Sequence, residues 1–128
     1  MTHSESLSGL KVLITRPKQQ SETLASAVRN LGGDTFDFPL LEISAIKDEF
    51  KVSVLEQKVK KLDCYDKLIF ISKNAVVYGA EVISKNWSDL PAVSEVIAIG
   101  PSTAKLATDF FGCEVVHPNS GSASEDLI

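Results

Sequence analysis

Two cysteines, two histidines and one tryptophan are all that the 128 residues contain of those types, and each scarcity excludes something. Cys64 and Cys113 are too few for a disulfide framework and have no CxxC spacing. His3 and His117 are too isolated to predict a metal cluster. No stretch approaches the roughly 20 apolar residues of a membrane span, and the first six residues have neither the basic nor the apolar segment of a signal peptide. Basic runs are missing too. Thirteen Lys and Arg against 17 Asp and Glu leave a formal net charge of −4, which argues against nucleic-acid or anionic-membrane partners. What is present is ordinary for a folded chain, with 44% hydrophobic and 23% charged residues. These traits predict a reduced, soluble, cytoplasmic α/β protein.

The hydrophobic pattern alternates between two periods. Lys11 to Thr15, Lys67 to Ile71 and Val96 to Ile99 are short apolar runs, as expected of strands covered on both faces. Thr35 to Phe38 and Cys113 to His117 are weaker strands, each ending at a proline. Between them lie helical spacings: Leu24, Ala27, Val28 and Leu31; Val52, Leu55, Val59 and Leu62; Val76, Ala80, Ile83 and Trp87; Ala104, Ala107 and Phe111. Ser122 and Glu125 have capping-box spacing, which predicts one more helix start. Ser44 to Phe50 reads as a loop. Cys64 and Cys113 are expected to be buried or inert. The alternation predicts a flavodoxin-like parallel sheet with helices on both faces, and composition alone would make it one domain.

In such a sheet, ligands bind beyond the carboxyl ends of the strands. The β→α turns there read Thr15-Arg16-Pro17, Ser72-Lys73-Asn74, Gly100-Pro101-Ser102-Thr103 and Pro118 to Ser124. None has an acidic residue before its helix, so a metal-dependent phospho-receiver site is excluded. Neither GxGxxG nor GxxxxGK[ST] occurs, and no GxSxG elbow is present. No metal and no cofactor are expected. What remains is a site made of helix N-termini, whose unpaired N–H groups and partial positive charge suit carboxylates or phosphates. Arg16 and Lys73 add full charges, and Ser72, Ser102, Thr103 and Ser124 add hydroxyls. For any one of the three serines taken alone, the favoured reading is a plain N-cap, worth about 1 kcal/mol.

These turns also carry a family resemblance. Val12-Leu13-Ile14-Thr15-Arg16-Pro17 followed by Pro39-Leu40-Leu41-Glu42-Ile43 resembles the opening of the uroporphyrinogen-III synthases. Tyr65-Asp66 through Phe70-Ile71-Ser72-Lys73-Asn74-Ala75-Val76 is similar to that family's YD…FTSxNAV segment, with Ile71 where many members have threonine. Gly100-Pro101-Ser102-Thr103-Ala104 resembles its GxxTA turn, and Pro118 with Ser124-Glu125-Asp126-Leu127 its next loop and helix start.

The resemblance implies two similar α/β domains, the first completed only when the chain returns from the second. Residues 1–38 would be the start of domain one, and 39–128 most of domain two. The architecture would then be incomplete in this chain, and self-association or strand exchange would be one way to fill the sheet. The implied reaction is the cyclisation of a linear tetrapyrrole, hydroxymethylbilane, to uroporphyrinogen III with inversion of ring D. Loss of the terminal hydroxyl leaves an azafulvene, which ring D attacks to give a spiro intermediate. The eight carboxylates of the substrate suit an array of donors, and holding that chain in geometry needs little acid or base. The implied substrate-binding residues are Thr15, Arg16, Ser72, Lys73, Asn74, Gly100, Ser102 and Ser124, with Thr103 the catalytic residue assisting hydroxyl departure. The alternatives are a truncated, inactive fragment and a small-anion binding module of the same fold.

Overall fold

Among the described residues, five short parallel strands alternate with helices. The computed structural model describes residues 6–92 and 94–118. Contacts divide the chain into two compact units, Met1–Ser44 and Ala45–Ile128, and the strands form two sheets, one in each. The single-domain reading from composition is thereby corrected. The fold is α/β throughout, with every strand pair parallel.

In the first unit, β1 (Lys11–Ile14) pairs with β2 (Asp34–Asp37), in register from Lys11–Asp34 to Ile14–Asp37. The connecting helix α1 (Lys18–Asn30) buries Ser21, Ala25 and Val28. The expected stripe of Leu24, Ala27, Val28 and Leu31 is therefore correct only at Val28. A two-stranded sheet is narrow, so it covers one stripe of the helix and leaves Leu24 and Leu31 on an uncovered flank. Close contact at the helix end requires a small residue. A Cβ on Gly33 would stand 2.8 Å from Val28 Cγ1.

In the second unit, β3 (Lys67–Phe70), β4 (Glu95–Ala98) and β5 (Val115–Val116) lie in the order β3-β4-β5. Both crossovers step the same way, so the right-handed rule places their helices on the same face. Accordingly α3 (Lys73–Ser84) packs on α4 (Pro101–Phe111). Val59 of α2 (Glu49–Val59), Leu62, Phe70, Val76, Ile83, Val96 and Ala107 form one core. Phe70 and Phe111 stack with ring centroids 5.4 Å apart. Trp87 Nε1 donates to the Val59 carbonyl at 2.6 Å, and the Ser94 hydroxyl to those of Leu62 and Tyr65, tying α2 and the short 3-10 turn behind it to the sheet.

The α3 and α4 stripes match their spacing. On α2 the match fails at Leu55, which is exposed, while Leu62 lies in the 3-10 turn. Cys64 is exposed rather than buried, although Leu62 in the same turn lies in the core. The last strand is shorter than Cys113 to His117. On the sheet face opposite the core, Ile69 is 48% and Val116 45% exposed. In the first unit the register pair Leu13–Phe36 is similarly open. No helix among the described residues is long and apolar enough to cross a membrane.

Candidate functional site

The ladder between β3 and β4 continues one step past its last register pair, with Ile99 N donating to the Phe70 carbonyl at 3.0 Å. This brings the β3→α3 and β4→α4 turns side by side at the carboxyl edge of the sheet. Ser72, Lys73, Asn74, Gly100, Ser102 and Thr103 are thus brought together.

The free donors there can be counted. Ser72 caps α3: its hydroxyl accepts from Ala75 N at 3.1 Å, and its carbonyl from Val76 N at 3.2 Å. The amides of Lys73 and Asn74 stay open, as the first amides of a helix do. Gly100 is the N-cap of α4 and has no side chain to offer; Pro101 has no N–H, and Ala104 N is bonded to the Gly100 carbonyl. The amides of Ser102 and Thr103 are therefore open too. Among the described residues, four open backbone amides thus lie at two neighbouring helix starts, and Lys73 at the first of them is exposed.

One feature makes α4's start unusual. Gly100 has φ 82° and ψ 152°, a region that is essentially glycine-only, and a Cβ built there would meet nothing within 4 Å. Thr103 is 5% exposed; its hydroxyl makes no hydrogen bond among the described residues, where no buried side-chain oxygen or nitrogen is left without a partner, so it is not a buried orphan. Ser72, in contrast, does have a structural role. Its replacement by alanine should cost about 1 kcal/mol of stability, measured as a shift in the urea midpoint.

The first unit holds its own version of this edge. Phe38 N and Leu40 N donate to the carbonyls of Ile14 and Thr15, at 2.8 and 3.2 Å, laying the segment after β2 beside Thr15. Arg16 is exposed and Pro17 caps α1 without a side-chain bond. A cleft of about 420 Å³ lined by Lys18, Gln19, Pro39, Leu40, Leu41 and Glu42 opens there. Lys18 and Gln19 were not foreseen in the sequence. Their only signal is that they follow Pro17, where the first open amides of α1 must lie. Ser124 and the helix start at Ser122 and Glu125 lie outside the described residues.

The second unit also has grooves away from this edge. One of about 400 Å³ runs between α3 and α4, lined by Val77, Trp87, Leu90 and Phe110 among others, with Glu81 and Asp89 at its margin. Carboxylates on its rim disfavour an anionic guest. Strand order does not reverse among the described strands, so the site is located by its donors and charges, not by a topological switch point. Among the described residues, no three His, Cys, Asp or Glu side chains come together as metal ligands.

A family model described as uroporphyrinogen-III synthase HemD matches residues 22–128. The chain is 34% identical over 119 residues to a uroporphyrinogen-III synthase of Proteus mirabilis, covering 93% of this chain and 58% of that protein. The synthases of Salmonella typhimurium and Escherichia coli are each 28% identical over 119 residues, covering 93% of this chain and 47% of theirs. The chain thus spans about half the length of these curated relatives. Two parallel β→α turns with four open amides, and a match over most of the residues that build them, lead to one conclusion: the chain belongs to the uroporphyrinogen-III synthase family.

Proposed function

We propose that this chain supplies one wall of a site that cyclises hydroxymethylbilane to uroporphyrinogen III with inversion of ring D. The observation that carries the reading is the set of amides at Lys73, Asn74, Ser102 and Thr103 that are open among the described residues, at two helix starts side by side on one sheet edge. Substrate carboxylates bind the amides and the Lys73 ammonium. Thr15 and Arg16 of the first unit are further proposed substrate-binding residues. The Thr103 hydroxyl donates to the departing hydroxyl of the substrate, stabilising charge as the azafulvene forms. Ring closure then follows from the geometry in which the chain is held, so no strong acid or base is needed. Gly100 contributes by keeping the space over the rim free of a side chain.

Residues 1–38 as the start of domain one, and 39–128 as most of domain two, are supported by the separate sheets β1–β2 and β3–β5. The exposed Cys64 thiol supports a reducing compartment such as the cytoplasm. The test is incubation of the 128-residue chain with hydroxymethylbilane, followed by separation of the ring isomers. An excess of the inverted isomer over a protein-free control supports the reading, and an unchanged ratio counts against turnover by this chain.

The coverage of about half of each relative favours a second reading, in which this length of chain binds polycarboxylates without cyclising them. A polycarboxylate bound together with an unchanged isomer ratio would identify that case. In this chain the open faces at Leu13–Phe36 and at Ile69 and Val116 also favour self-association. Sedimentation at about 10–100 µM should show a dimer or larger species; a monomer at the top of that range would contradict it.

A further inference from the structure

We propose that Ile71 is a specificity-determining residue, giving the carboxylate rim an apolar contact for the ring that bears the carboxylates. The inference rests on the function proposed above and extends it from the substrate's charge to its hydrocarbon framework. Ile71 is the first residue beyond β3 and is 69% exposed. Its neighbours along the chain are the capping Ser72 and the open amides of Lys73 and Asn74.

Ile71 and Ile99 each follow the last register pair, Phe70–Ala98, at the carboxyl edge of the sheet. Ile69 lies within the paired part of the sheet, whereas Ile71 lies at the rim itself. The four amides and Lys73 can hold any small polyanion, and nothing in them distinguishes phosphate or citrate from a tetrapyrrole. A large aliphatic side chain among them favours a guest whose acid groups hang from a flat apolar ring. An inorganic anion would leave that surface wet.

The test compares two probes on the 128-residue chain at one ionic strength. One is uroporphyrin III, the air-stable oxidised product with the same eight carboxylates; the other is butane-1,2,3,4-tetracarboxylate, which has no ring. Ile71→Ser should weaken uroporphyrin binding about tenfold, the effect of uncovering one aliphatic side chain, and change tetracarboxylate binding less than about twofold. Ile71→Val should retain most of the uroporphyrin affinity. Trp87 fluorescence checks that each variant is folded, and a purely structural role would not alter the ratio of the two affinities. Equal losses for both probes, or unchanged uroporphyrin binding, would overturn the inference and leave the carboxylate site standing. Failure of the unsubstituted chain to bind either probe would overturn both.

Discussion

Phe70→Ala is expected to destabilise the second unit by about 3–5 kcal/mol, the usual cost of deleting a buried phenyl ring. Phe70 is buried, stacks on Phe111 and packs under Gly79, where a built Cβ would stand 3.0 Å from its ring. It joins strand, α3 and α4 in one contact, so no neighbour can fill the space without moving the helix ends that form the rim. A loss of that size is a large fraction of the stability of a small domain. Urea unfolding followed by Trp87, the chain's one tryptophan, reads this unit directly. Phe50→Ala, at an exposed position on α2, should change the midpoint little. A loss below about 1 kcal/mol for Phe70→Ala would show that the core is not organised around this stack.

Thr103→Val should separate binding from stability. The substitution keeps the shape of a buried side chain and removes only a hydroxyl that has no partner among the described residues. Stability is expected to change little, since no side-chain hydrogen bond among the described residues is lost and none of their buried polar side-chain atoms is left unsatisfied. Affinity for hydroxymethylbilane, whose departing hydroxyl Thr103 is proposed to meet, should fall about fivefold, as expected for one neutral hydrogen bond, while uroporphyrin, which lacks that hydroxyl, should bind about as before. The check is a urea melt beside a binding isotherm on the same preparation. A clear loss of stability with unchanged affinity would make Thr103 a core residue and nothing more.

The fold was legible where burial is two-sided. Val96 to Ile99 reads as an almost unbroken apolar run because that strand is central in its sheet, and the stripes of α3 and α4 follow from packing on it. It was least legible where a neighbour is missing. The stripe chosen for α1 was the most apolar one, but a two-stranded sheet covers only the side carrying Ser21, Ala25 and Val28. Leu55 misled in the same way, since periodicity measures apolarity and not whether anything stands opposite. The division into two units falls at the start of Ser44 to Phe50, the stretch of the sequence nearest to a linker, which composition alone does not distinguish from a polar loop.

The site was legible as a set of turns but not in its details. That Ser72 is occupied in capping while Lys73, Asn74, Ser102 and Thr103 keep open amides depends on bonds one to four residues away. A hydroxyl with a partner and one without are the same letters in a sequence. In the sequence Ile71 stands out only as a position where many family members have threonine; its exposure next to the capping Ser72 needs the structure.

The central claim is that the carboxyl edge of the second unit's sheet holds a polycarboxylate. A nitrogen-15 NMR titration of the 128-residue chain with uroporphyrin III tests it most directly. Amide shifts concentrated at Lys73 to Ala75 and Ser102 to Ala104 are the predicted result. Shifts confined to the groove around Val77, Trp87 and Phe110, with those amides unmoved, would contradict it.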